Sequence, residues 1–147
     1  MDTYDYLILM ELQKNGRISV AELGRKIGLS TTGTKERIKK LEQEGIIKGY
    51  GAIIDGDKVG LDITAFITVP VGDMDIKGMA KFLTDMPEVL ECHKVTGDTC
   101  FFIKVKAKNT KKLEKLIDKI NSVAKNTYTY LALSTLKETM MYNLEEN

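Results

Sequence analysis

Residues Arg17–Tyr50 read R-I-S-V-A-E-L-G-R-K-I-G-L-S-T-T-G-T-K-E-R-I-K-K-L-E-Q-E-G-I-I-K-G-Y, and this stretch decides the fold. Ser19 and Glu22 have the spacing of a capping box, and Val20, Leu23 and Ile27 fall on one helical face. Gly28 is placed to close that helix with a left-handed cap. Ser30 then offers a second N-cap, with Thr34, Ile38 and Leu41 as the inward stripe of the next helix and Gly45 as its stop. Thr34 stands where a fully apolar residue is expected. Two capped helices joined by a glycine turn make a helix-turn-helix, whose second helix can enter the DNA major groove. Its outward positions and cap include Ser30, Thr31, Thr32, Lys35, Arg37, Lys39 and Lys40. Small hydroxyls at a helix start can reach base edges and phosphates, and the cations neutralise backbone charge. Thr31, Thr32 and Lys35 are the candidate base readers. Gly33 costs this helix about 1 kcal/mol relative to Ala, and close approach to DNA is its expected purpose.

Outward from this core, Thr3–Lys14 reads as a preceding helix, with Asn15-Gly16 as a turn. Ile46–Ile54 reads as a strand ending at the Asp55-Gly56-Asp57 turn, so the first domain is expected to be a winged helix-turn-helix over residues 1–54. A linker is expected over 55–62. Beyond it, strand and helix signals alternate: strand Ile63–Val71, helix Met74–Met86, strands Val89–Thr96 and Phe101–Ala107 around a Gly97-Asp98 turn, helix Thr110–Ala124 and strand Tyr128–Leu136. The order β-α-β-β-α-β over 63–147 is that of a ferredoxin-like domain, and the fold class is α+β.

Helices can cover only one face of such a sheet. Yet Ala65, Ile67 and Val69 alternate with Phe66, and Phe101, Ile103 and Val105 with Phe102. Apolar residues on the open face predict a second sheet packed against it across a twofold axis, that is, a homodimer through the C-terminal sheet.

Composition is that of a globular protein, with 43% hydrophobic and 29% charged residues. No apolar run reaches the ~20 residues that span a bilayer, and Asp2 and Asp5 do not suit a signal peptide, so a cytoplasmic protein is expected. Cys92 and Cys100 form neither a disulfide framework nor a zinc pattern. No phosphate-binding loop or dinucleotide fingerprint occurs, so no catalytic residue, metal or cofactor is assigned. Net charge is only +1. From Lys35 to Lys48, five cations face three acids, so DNA binding by one copy is weak and several copies on one duplex must supply the rest.

These motifs together resemble the Lrp/AsnC (leucine-responsive, feast/famine) family of transcription regulators. The similarity is carried by Asp5, Asn15-Gly16-Arg17-Ile18-Ser19, Glu22-Leu23, Ile27-Gly28-Leu29-Ser30, Arg37–Glu42 and Gly45-Ile46-Ile47. It continues through Gly60-Leu61-Asp62 and Val89–Asp98, and so spans nearly the whole chain. The resemblance implies sheet-paired dimers that commonly assemble into octamers, and a small effector, usually an amino acid. The implied effector site lies near Thr96, Gly97, Asp98, Thr99 and Cys100. Cys100 stands where the family typically carries an aspartate, and a thiol forms no charge-assisted bond to an ammonium. Asp98 taking over, a different effector, and a plain hairpin turn all remain open here. Two alternatives share the architecture: a tetrapyrrole (sirohaem) decarboxylase-like protein, and an effector-independent architectural DNA-binding protein. The first would need arginines and histidines around a cavity, but Arg17, Arg25 and Arg37 all lie in the first domain and His93 is the sole imidazole.

Overall fold

The computed structural model describes residues 1–71 and 75–144. Five helices and four strands follow in the order α1 (Thr3–Lys14), α2 (Val20–Ile27), α3 (Thr31–Gln43), β1 (Ile63–Val69), α4 (Ile76–Thr84), β2 (Val89–Lys94), β3 (Phe101–Ala107), α5 (Thr110–Asn121) and β4 (Tyr128–Leu131). They form two compact units. One is Met1–Ile53 together with the chain from Lys137 onward; the other is Ile54–Leu136.

In the first unit, Ile8, Leu23 and Leu41 bring the three helices together, with Leu12, Ile18, Ile27, Ile38 and Ile47 packed around them. Ser19 accepts from the Glu22 amide at the start of α2, and Gly28 closes it at φ 75°. The reciprocal capping box lies at α1 instead. There the Asp2 carboxylate accepts from the Asp5 amide at 3.1 Å, and the Asp2 amide donates to the Asp5 carboxylate at 3.0 Å. Helix α3 ends in a Schellman motif: the Ile46 amide reaches the Leu41 carbonyl at 2.9 Å and the Gly45 amide reaches Glu42 at 3.0 Å.

The expected strand at Ile46–Ile54 is not formed; the segment bends at Ile46-Ile47, has no regular secondary structure beyond, and is mostly exposed, with Ile53 at 81%. A strand needs a neighbour, and no other described segment pairs with this one.

The second unit is a four-stranded antiparallel sheet of order β2-β3-β1-β4, the ferredoxin-like arrangement. Ala65, Ile67, Val69, Phe101, Ile103, Val105 and Ala107 face α4 and α5, whose Met79, Leu83, Leu113, Leu116 and Ile120 complete the core. Five expected elements are longer than observed; β1 ends at Val69 rather than Val71, α4 spans Ile76–Thr84 rather than reaching Met86, and Met74 lies outside the described residues. β4 stops at Leu131 because β1 begins at Ile63; the last link is the Ala132 amide to the Thr64 carbonyl at 2.9 Å. β2 stops at Lys94, opposite Phe101, and the turn is a six-residue loop closed by the Val95 amide on the Cys100 carbonyl. Helix α5 ends at Asn121 rather than Ala124, although Ala124 stays buried.

The expected linker is part of this second unit. Asp57–Val59 is a short 3-10 turn, and the Lys106 ammonium lies over it, 3.2 Å from the Asp57 carboxylate and 3.3 Å from the Leu61 carbonyl. The chain from Lys137 onward, expected to belong to the ferredoxin-like domain, groups with the helices instead. Gln13 holds it there: its side-chain amide donates to the Tyr142 carbonyl at 3.2 Å and accepts from the Tyr142 amide at 2.6 Å. A side chain thus serves as the partner an extended backbone needs.

Candidate nucleic-acid interface and effector cleft

Helix α3 is anchored by its buried side. Leu41 and Thr34 are fully or nearly fully enclosed, and Ile38 packs on the same core. Thr34 has a clear role here. Its hydroxyl donates to the Ser30 carbonyl at 2.9 Å, so the polar group is satisfied inside the domain. Gly24 of α2 packs against the turn and the start of α3: an added Cβ there would stand 2.7 Å from the Leu29 carbonyl oxygen and 2.9 Å from the Thr34 hydroxyl.

The outward side of α3 carries the expected residues. Ser30 is exposed but occupied as N-cap, accepting from the Gly33 amide at 3.1 Å. Thr31 and Thr32 are exposed on the first turn, and Lys35 and Lys39 are exposed along the helix. Among the described residues neither lysine has an ion-pair partner. Lys40 has only a loose contact to Glu44 at 3.8 Å. At 100° per residue Thr32, Lys35, Glu36, Lys39 and Gln43 share the solvent face; Glu36 and Gln43 were not singled out from the sequence.

Arg37 is placed otherwise. Its guanidinium contacts both Asp2 carboxylate oxygens at 2.8 and 2.7 Å and the nearly buried Asp5 at 2.9 Å, and it lies over the Tyr4 ring at 5.4 Å from the centroid. The hydrogen bond from Arg37 holds the Asp2 carboxyl below its ordinary range, and Arg37 is itself raised, first by Asp2 and then by Asp5. This side chain ties α3 to the start of α1.

In the second unit a cleft of about 700 Å³ opens between the end of β1, the β2–β3 loop and the segment after α5. Asp98 and Thr99 line it. Thr96 and Gly97 form the exposed turn, with Gly97 at φ 107°, and do not line the cleft; Cys100 packs against the core. The rest of the lining includes Thr68, Asn121, Ser122, Lys125, Asn126 and Tyr128, which the sequence places on strands, on a helix or between them without marking any as a site residue. No group of three potential metal ligands occurs among the described residues, and none of their helices is long and apolar enough to cross a membrane.

Two family descriptions match the chain in succession. Residues 1–48 match a winged helix-turn-helix DNA-binding domain, and residues 64–142 match the Lrp/AsnC ligand binding domain. The chain belongs to the Lrp/AsnC family. Among its Lrp/AsnC relatives, a proline dehydrogenase transcriptional activator from Rhizobium radiobacter is 34% identical over 145 residues, covering 95% of this chain and 93% of the relative. The structure of LrpC from Bacillus subtilis superposes with a TM-score of 0.88 at 32% identity, over 93% of this chain and 97% of that one. A transcriptional regulator from Neisseria meningitidis, solved as a complex with L-Met, gives a TM-score of 0.88 at 28% identity, over 95% and 94%. Like these Lrp/AsnC proteins, the chain is a DNA-binding transcriptional regulator and not an enzyme, which sets aside the decarboxylase alternative.

Proposed function

We propose that this Lrp/AsnC regulator works in the cytoplasm, as a homodimer that assembles further, to octamers, on double-stranded DNA. Its DNA affinity or assembly is tuned by an amino acid held in the second unit. The observation that carries the DNA reading is the solvent face of α3, where Lys35 and Lys39 stand without ion-pair partners among the described residues while the opposite side is locked into the core. Thr31, Thr32 and Lys35 read bases, with Ser30 ordering the first turn; Lys39 and Lys40 contact phosphates. Arg37 acts as a positioning residue that orients α3.

The open face of the sheet supports the dimer. Phe66 and Phe102 stack there at 5.9 Å, with Tyr128 and Tyr130 on the same face at 64% and 57% exposure. The two lysines on that face are neutralised: Lys104 lies 3.5 Å from Glu91 and Lys106 3.2 Å from Asp57. An aromatic face with paired charges suits a second copy of itself. The effector reading is supported by the cleft at Asp98 and by the match to a ligand binding domain.

The deciding experiment measures binding to the DNA upstream of the protein's own coding region at two salt concentrations, with and without the twenty amino acids. Tight, salt-sensitive binding altered by the amino acids is the expected result. Tight binding indifferent to them would leave an architectural role, and no binding at either salt would overturn the assignment of α3.

A further inference from the structure

The solvent face of α3 carries an acid among its cations. Glu36 is exposed on the side away from the buried Thr34 and Leu41, with Lys35 before it and Lys39 and Lys40 one turn on. A glutamate four residues ahead of a lysine is well placed to pair with it. Lys40 nevertheless makes its contact with Glu44, at 3.8 Å, and Glu36 has no hydrogen bond or ion pair among the described residues.

On a surface that meets DNA, a free carboxylate repels every phosphate it approaches and lowers affinity for a duplex of any sequence. That cost is offset only where the carboxylate finds donors, because an ionised carboxylate accepts hydrogen bonds and gives none. In the major groove guanine shows two acceptors, and thymine an acceptor and a methyl group. Adenine shows its amino group beside the N7 acceptor. Cytosine alone shows a donor with no acceptor next to it.

The approach to such a base is open. Side chains of a helix lean toward its N-terminus, so Glu36 reaches over the turn that holds Thr32 and Gly33. Thr32 is short and Gly33 has no side chain, and Gly33 and Glu36 border one surface depression. The N-terminal turns of a recognition helix are the part that meets base edges.

We propose that Glu36 is a specificity-determining residue, accepting a hydrogen bond from the N4 amino group of one cytosine in each half-site. This assignment rests on the DNA reading of α3 above and adds the base that its exposed acid selects. The guanine paired with that cytosine turns O6 and N7 to the groove, acceptors that suit the neighbouring Lys35. Elsewhere on the duplex the same carboxylate works against binding. One side chain thus favours the site twice, by attraction there and by repulsion at other sequences.

The test selects preferred sites from random duplexes with full-length wild type, Glu36→Gln and Glu36→Ala, then measures affinity for the selected site and for unrelated DNA. Wild type should require C·G at one position per half-site and lose about tenfold when that pair is exchanged for T·A. Glu36→Ala should accept all four pairs there, keep the preferences at other positions, and bind unrelated DNA severalfold tighter. Glu36→Gln should move the preference to A·T, since an amide matches N6 and N7 of adenine. Replacing the cytosine by 2-pyrimidinone, which lacks only the amino group, should weaken wild type and leave Glu36→Ala unchanged. Both variants should melt like wild type, because Glu36 holds no other described residue. A Glu36→Ala protein with the wild-type preference at every position would overturn the assignment, and so would one that loses preference at all of them together. Wild type that binds duplexes of every sequence alike would overturn Glu36 as a reader and leave DNA binding standing. Wild type that binds no duplex would overturn the DNA reading of α3 itself.

Discussion

At the scale of single residues, the cations of α3 divide by what holds them. Lys39 is free of any described partner, so Lys39→Ala should weaken binding to all DNA sequences and reduce the slope of log affinity against log salt by about one. Arg37→Ala should leave that slope unchanged and lower the melting temperature instead, because the nearly buried Asp5 loses its cation. Salt titrations and thermal melts of the two variants separate these outcomes. This division was not legible in the sequence: Arg37 sits in a run of basic residues, and its partners Asp2 and Asp5 lie 35 and 32 positions away. Tyr50 gives a pH signature. Partial burial, followed by its 3.0 Å hydrogen bond to Glu42, raises the phenol to about 12. An unfolded tyrosine ionises near 10, so the folded state keeps a proton that the unfolded state has lost between those values. Stability from this group is complete below pH 10 and falls as pH rises toward 12. Tyr50→Phe should therefore lose less stability than wild type between pH 9.5 and 11.5 in denaturant titrations.

At the scale of elements, the helices were readable because their signals are local. Ser19, Gly28, Ser30 and Gly45 lie within a turn of the ends they set, and α1 and α2 have the predicted limits. The strand expected at Ile46–Ile54 failed because pairing is not local. An apolar, β-branched run reads the same whether or not a neighbour exists to hydrogen-bond with it. The packing of α2 against the following turn was equally hidden, since nothing in the pattern marks Gly24 as a contact point. Gly24→Ala, which gains about 1 kcal/mol of helix propensity, should nevertheless destabilise the first unit by about 1–2 kcal/mol, because the methyl meets a backbone carbonyl that cannot turn aside. Urea unfolding measures it, and a stabilised variant would refute the close contact at Gly24. Gly33 has a second explanation beside access to DNA: a Cβ there would lie 3.2 Å from the Ser30 hydroxyl that caps the helix. Crowding of the cap offsets the propensity gain, so Gly33→Ala should leave stability within about 0.5 kcal/mol of wild type.

At the scale of the whole molecule, the order of elements and the two-unit plan were legible because hydrophobic period and turn residues survive in any context. Of the loop expected to hold an effector, only part borders the cleft. Asp98 and Thr99 line the cleft, but the remaining wall comes from β1 and from the segment after α5, which reach it only through the sheet's strand order. Apolar residues on both faces of the sheet were visible in sequence, whereas the pairing that neutralises Lys104 and Lys106 was not. If a second copy covers that face, Phe66→Asp or Phe102→Asp should convert the assembled protein to monomers in analytical ultracentrifugation. Affinity for DNA should then fall by orders of magnitude, because one weakly basic helix acts alone.

The return of the chain to the helices has a consequence for biosynthesis. Gln13 and Tyr142 are separated by 129 positions, so the helical unit is begun before the second unit is made and completed after it. Helices α1–α3 can pack as soon as they leave the ribosome, but the segment that Gln13 holds does not exist until the whole second unit has been made. An incomplete chain therefore carries a reading head without its clasp. The clasp closes only on molecules that already contain the entire sensor.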